Sequence, residues 1–98
     1  MAFSNQLKPI QLERLSILSE ECSEVIKEIN KIIRHGPNSY HPEDKDKITN
    51  VQRLEKELGD IQAAKELLVE INFINLDHVE QYAKLKKELI GQWLHYKV

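Results

Sequence analysis

Apolar residues recur at helical spacing over a long stretch that is bounded by proline and glycine. Pro9 suits the first turn of a helix, and Gly36-Pro37 stops one. The pattern predicts one amphipathic helix from about Pro9 to Arg34, long enough to set the architecture of a chain of 98 residues. The apolar stripe consists of Leu15, Leu18, Cys22, Val25, Ile26, Ile29 and Ile33.

Two further helices are predicted. A loop rich in proline and glycine (36–42) precedes a second helix that begins between Pro42 and Asn50 and reaches about Ile71. Asn50 is one candidate N-cap, and Pro42 is another candidate for the first turn. After a break at 72–75, Asp77-x-x-Glu80 resembles a capping box. It predicts a third helix that ends at about Trp93 or His95.

These elements predict an all-α fold in which residues 1–98 form a single domain. Three main helices enclose little volume in so short a chain. The second helix also carries apolar residues, such as Ile61 and Leu67, on more than one side. We therefore expect homo-oligomerisation, as a homodimer or a dimer of dimers, to complete a four-helix-type core.

Composition excludes several classes of protein. The formal net charge is −2, so no general basic field is available to hold a nucleic-acid polymer. Cys22 is the only cysteine and cannot form an intramolecular disulfide. No apolar run has the length of a membrane span, and residues 1–6 lack the pattern of a signal peptide. We expect a cytoplasmic protein.

Two acidic motifs stand beside the apolar stripes of the first and second helices. Residues 20–24 read E-E-x-x-E, and residues 57–60 read E-x-x-D. Residues three or four apart share a helix face, so two packed helices would gather several carboxylates around one point. A hard divalent cation such as Mg²⁺ relieves their repulsion. Either motif alone is more often an exposed helix face, because glutamate is a good helix former; the pair beside apolar stripes is more specific.

Other site types do not fit. A di-iron carboxylate bundle needs Glu-x-x-His pairs, and no histidine of this chain has a glutamate three residues before it. Clusters of cysteine and histidine for zinc and a Walker-type glycine loop are also absent from the sequence.

The two motifs, with Leu54 to Ile61 as the strongest local part, resemble the MazG-like family of all-α nucleoside triphosphate pyrophosphohydrolases over roughly Leu15 to Lys87. The resemblance implies hydrolysis of a ribo- or deoxyribonucleoside triphosphate to monophosphate and pyrophosphate, by attack of water on the α-phosphorus. It implies Mg²⁺, with Mn²⁺ as a substitute. The implied metal ligands are Glu21, Glu24, Glu57 and Asp60, and Glu20 is a candidate general base or an outer group beside the metal.

The resemblance also makes Lys84 and Lys87 candidates for substrate binding, although Glu88 stands near the place of the family's asparagine. Lys31 could meet the triphosphate together with its neighbours Lys27 and Arg34, but a solvated helix face is the reading the sequence favours. Tyr40 and His41 could close over a base or lie in an ordinary surface loop. The alternatives to an enzyme are a non-catalytic helical interaction module and a nucleotide or metal sensor.

Overall fold

The structure, a computed structural model, describes residues 2–98. Within that range the chain forms three α-helices and no strand, as the all-α prediction required. They are α1 (Pro9–His35), α2 (Asn50–Glu70) and α3 (Leu76–Gly91). The start of α1 at Pro9 and its end before Gly36 agree with the sequence pattern.

The second helix begins with a capping box that differs from both candidates named above. Thr49 is the N-cap: its hydroxyl accepts the N–H of Gln52 (3.2 Å), and the Gln52 side chain accepts the N–H of Thr49 (2.9 Å). Asn50 is the first helical residue, and its side chain donates to the carbonyl of Gly36 instead (3.1 Å). The start of α2 is thereby tied to the end of α1.

The predicted limits of the third helix need correction. Asn75, not Asp77, caps it, because the Asn75 side chain accepts the N–H of His78 (3.1 Å). Asp77 lies in the first turn, where its charge complements the helix dipole. The helix ends at Gly91, short of Trp93 and His95.

The first two helices form an antiparallel hairpin. Arg14 fixes one end, because its guanidinium donates to the carbonyl of Leu67 and pairs with Glu70 at 3.0 Å. Between the helices the core is small: Val25, Ala64 and Leu68 are the only buried apolar residues among those described. Packing within one chain therefore contributes little of the apolar burial that stabilises a typical domain.

The apolar stripe of α1 is divided between two environments. Leu15, Leu18 and Val25 turn toward α2 and are at least partly buried. The remaining residues of the stripe are exposed, and we call them the outer face: Cys22, Ile26, Ile29 and Ile33. The acidic flank thus packs toward the second helix together with one part of the apolar stripe, and the other part stays exposed.

The third helix extends away from the hairpin. Residues 80–90 are all exposed, including Tyr82, Leu85 and Leu89. The chain has a radius of gyration of 17.5 Å, whereas a compact domain of this length has about 13 Å. Its accessible surface is 8537 Å², against about 5800 Å² for a compact protein of this mass. None of the helices in the described part of the chain is both long and apolar enough to cross a membrane.

Asp44 organises the connection between α1 and α2. Its carboxylate accepts the backbone N–H of Asp46 (2.9 Å) and of Ile48 (3.1 Å), and it pairs with the guanidinium of Arg53 (2.9 Å). The hydrogen bond from Asp46 is the largest of the effects that hold the pKa of Asp44 below its ordinary value. The connection is consequently fastened to the first turn of α2.

Candidate metal centre

Three carboxylates from the two packed helices converge in the groove between α1 and α2. Glu21 comes from α1, and Glu57 and Asp60 come from one face of α2. One oxygen from each lies within 4.8 Å of the others, and all three residues are partly buried. We call these three residues the acidic cluster. Its geometry follows from the spacing of three in E-x-x-D and from the antiparallel pairing of the helices.

The acidic cluster carries unfavourable electrostatics. The pKa of Glu21 is raised above its ordinary value, first because the carboxyl is partly removed from water, and then because Asp60 and Glu57 repel its charge. A cation bound among the three oxygens would remove that repulsion. Hard oxygen donors are also the ligands that Mg²⁺ and Mn²⁺ prefer. These residues therefore fit a divalent cation, which Glu21, Glu57 and Asp60 would hold.

Lys56 is a counterion that the sequence reasoning missed. Its ammonium lies 2.8 Å from an oxygen of Asp60 and 3.7 Å from an oxygen of Glu57. The hydrogen bond with Asp60 is the main cause of a raised pKa at Lys56 and of a lowered pKa at Asp60. The signal was present as a Lys-to-Asp spacing of four, which is a common helical ion pair.

The other predicted residues of the first motif lie outside the acidic cluster. Glu24 is partly buried on the same side of α1, one turn beyond Glu21, but it is not among the three converging carboxylates. Glu20 is exposed, on a neighbouring side of the helix about 100° from Glu21.

Gly59, inside the second motif, is exposed as well. An added Cβ would meet no atom within 4 Å, so packing within the chain does not explain this glycine.

Glu28 is a second residue of the groove that the sequence reasoning did not assign to a site. Only 5% of it is exposed, although it is a charged residue. One carboxylate oxygen accepts a hydrogen bond from the ammonium of Lys31 (3.2 Å), and the other is buried without a partner among the described residues. Its position one turn beyond Glu24 on the acidic flank was the available signal.

The predicted substrate lysines lie in different places. Lys31 is partly buried at the edge of the groove, where it is held by Glu28. Lys84 and Lys87 are exposed on α3, which does not pack along the hairpin. A single chain thus brings Lys31, but not the two lysines of α3, toward the groove.

A family model for the MazG nucleotide pyrophosphohydrolase domain matches residues 11–88. The match covers most of the chain and includes both acidic motifs, so the chain belongs to the MazG family. No curated protein and no solved structure gave a significant match.

Proposed function

We propose that this MazG-family chain hydrolyses ribo- or deoxyribonucleoside triphosphates to the monophosphate and pyrophosphate in a magnesium-dependent reaction. The observation that carries the proposal is the convergence of Glu21, Glu57 and Asp60 within 4.8 Å in a groove between two helices. Family membership supplies the reaction class. The acidic cluster supports the dependence on a divalent cation, with Mn²⁺ as an expected substitute for Mg²⁺.

The residues of the groove have distinct roles in this proposal. Glu21, Glu57 and Asp60 hold the cation, and Glu24, one turn from Glu21, joins them as a fourth ligand. A bound magnesium ion supplies charge neutralisation to a phosphate chain and a lower pKa to water. Glu20 is proposed to accept a proton from the attacking water. Lys56 neutralises Asp60 and Glu57 while the cation is absent.

The active form is proposed to be a homo-oligomer. The large accessible surface, the outer face of α1 and the exposed α3 support association with a second copy as a homodimer or a dimer of dimers. Because α3 does not pack along the hairpin, Lys84 and Lys87 would contact phosphate only in the assembled form. A four-helix-type core would arise at the same time.

The proposed biological role is removal of noncanonical or excess nucleotides in the cytoplasm. No part of the proposal requires a membrane or a nucleic-acid polymer as partner. The net charge of −2 agrees with a small soluble anion held by a cation, in contrast to a polyanion held by a basic surface.

Product analysis tests the proposal directly. Purified protein is incubated with a panel of ribo- and deoxyribonucleoside triphosphates, with magnesium or with chelator. Monophosphate and pyrophosphate in equal amounts, formed only with magnesium, are the expected products. Release of single phosphate would contradict attack at the α-phosphorus. Absence of turnover from a folded, magnesium-saturated sample would favour a nucleotide or metal sensor if ligands still bind, and a non-catalytic interaction module if they do not.

A further inference from the structure

A second feature of the groove is a basic recess at the end of the hairpin away from Arg14. It has a volume of about 600 Å³ and lies between the end of α1, the connection and the start of α2. Lys31, Arg34 and Arg53 line it, together with Tyr40 and His41. Among the described residues no carboxylate lines it. In a chain of net charge −2, this local surplus of cations marks a place for an anion.

Two of the cations are fixed in position by carboxylates behind them. The buried Glu28 holds the ammonium of Lys31 at 3.2 Å, and Asp44 holds the guanidinium of Arg53 at 2.9 Å. Each contact uses one donor, whereas an ammonium has three N–H donors and a guanidinium has five. Both side chains remain more than one-third exposed, so the other donors are available to a ligand.

Arg34 is the third cation, and it differs from the other two. It forms no ion pair within residues 2–98 and is exposed at the recess. An arginine without a carboxylate partner is ready to bind phosphate oxygens in a bidentate manner. Its replacement removes no ion pair or side-chain hydrogen bond among the described residues, and Arg34→Lys keeps the positive charge in the last turn of α1, which makes it the best position for a test.

The recess lies on the same groove as the acidic cluster. Arg53 precedes Glu57 by one turn of α2, about 6 Å along the helix axis. Lys31 follows Glu21, the member of the acidic cluster on α1, by almost three turns, about 15 Å along the helix axis. Carboxylates for a cation and side chains for an anion therefore follow one another along a single groove.

We propose that this basic recess receives the β- and γ-phosphates of the triphosphate, the part of the substrate that leaves as pyrophosphate. The inference rests on the proposed function and adds the orientation of the substrate. Water forms a new O–P bond at the α-phosphorus, and a base takes its proton. The bond from the α-phosphorus to the bridging oxygen breaks, and the electron pair leaves with pyrophosphate. The donors of Lys31, Arg34 and Arg53 stabilise the charge that develops there.

The test compares Arg34→Ala with wild type, with Arg34→Lys as the conservative variant. Lys45→Ala is the matched control, because it removes one positive charge from an exposed residue of the same connection that does not line the recess. Calorimetry with magnesium measures the binding of inorganic pyrophosphate and of a nucleoside monophosphate without any need for turnover. Steady-state kinetics then give KM and the mode of inhibition by pyrophosphate.

Arg34→Ala should bind pyrophosphate about tenfold more weakly and raise KM for the triphosphate by a similar factor. Monophosphate binding and the Lys45→Ala control should stay close to wild type, and Arg34→Lys should recover part of the loss. Pyrophosphate should compete with the triphosphate in the wild type.

Three results would overturn the assignment. Unchanged pyrophosphate binding in Arg34→Ala would show that the recess does not take this anion. An equal loss of monophosphate binding would place the nucleoside there instead. Weaker pyrophosphate binding with unchanged KM and without competition would mean a separate anion site. A wild type that binds pyrophosphate through Arg34 but hydrolyses no triphosphate would contradict the proposed function and still support the recess as a pyrophosphate site.

Discussion

On α1, several acidic residues face the neighbouring helix and several apolar residues face solvent, which is the reverse of the usual arrangement. The side that packs against α2 carries Glu21, Glu24 and the buried Glu28. The outer face carries isoleucines, with Ile26 61% exposed and Ile33 78% exposed. Charged residues are almost never buried unless they are paired, and exposed apolar patches mark interaction surfaces.

The groove and the outer face differ in whether one chain is sufficient to form them. The groove is assembled within one chain, because the acidic cluster and its counterion Lys56 are in place without a second copy. The outer face is exposed, and α3 makes little contact with the hairpin. Changes in the groove should alter chemistry at constant assembly, and changes on the outer face should alter assembly.

The strongest test of the groove is Glu21→Gln. Loss of one carboxylate from the acidic cluster should lower kcat/KM at fixed magnesium by at least about a hundredfold. The free energy of unfolding without magnesium should stay level or rise, because the repulsion from Glu57 and Asp60 is relieved. Kinetics and urea unfolding measure the two effects. Glu13→Gln, at an exposed glutamate of the same helix, is the control. An equal loss of activity in this control would show that the effect is not specific to the acidic cluster.

The matching test of the outer face is Ile26→Glu. A carboxylate placed in an apolar interface should weaken self-association by tenfold or more. Sedimentation velocity over a range of protein concentrations would show a shift toward the monomer. Ser16→Glu changes an exposed polar residue of the same helix, about 80° around the axis from Ile26 and nearly three turns before it, and should leave association unchanged. An Ile26→Glu protein that sediments as the wild type does would mean that the outer face is not an interface.

A pH titration sharpens the comparison further. Glu21 has a raised pKa in the folded chain, so between that pKa and the ordinary value of 4.5 the folded state binds more protons than the unfolded state. Without magnesium, its contribution to stability should therefore increase as the pH falls through this interval. Asp44 and Asp60 have lowered pKa values in the folded chain, so their contributions to stability are lost only below about pH 3.8.

The measurement is the difference in unfolding free energy between wild type and Glu21→Gln as a function of pH. With saturating magnesium the trend should reverse, because the cation binds ionised carboxylates and competes with protons. A difference that does not vary with pH in the absence of metal would contradict the electrostatic strain assigned to the acidic cluster.

The smallest expected effect concerns Lys56. Lys56→Gln removes the ammonium that competes with a metal ion for Asp60 and Glu57, so the affinity for magnesium should rise by about two- to fivefold. Calorimetric titration with magnesium measures it. Lys86→Gln, at an exposed position on α3, removes the same charge elsewhere and should change little. Weaker magnesium binding in Lys56→Gln would show that the lysine assists the cation.

The sequence was sufficient for the helices and for the shared face of Glu57 and Asp60, because both depend on local periodicity; the assignment of Glu21, Glu24, Glu57 and Asp60 as metal ligands came from the family resemblance and stays a prediction. The period of 3.6 and the flanking Pro9 and Gly36 define α1, and the spacing of Glu57 and Asp60 defines their shared face. The N-caps were harder to predict. Asn50 and Asp77, which follow the observed caps Thr49 and Asn75 by one and two residues, are also residue types that cap helices. Such choices are decided by contacts such as the one from Asn50 to Gly36.

The sequence also did not predict which side of α1 faces α2. Periodicity defines an apolar stripe but does not say which part of it a partner helix covers. The structure turns Val25 and Glu28 inward and leaves Ile29 and Ile33 exposed. For the same reason the roles of Lys31 and Lys56 became visible only once the partner carboxylates were located in space.

Because the core of the hairpin is small, the stability and activity of the protein should depend on its concentration. Val25, Ala64 and Leu68 are the only apolar residues that residues 2–98 bury in one chain, so in the proposed homo-oligomer contact between chains would supply much of the stabilisation. The unfolding midpoint should then rise with protein concentration. In a cell with few copies, a larger fraction of the chains would be unassembled and therefore less stable. Activity would rise more steeply than the amount of protein, and the expression level would set a threshold.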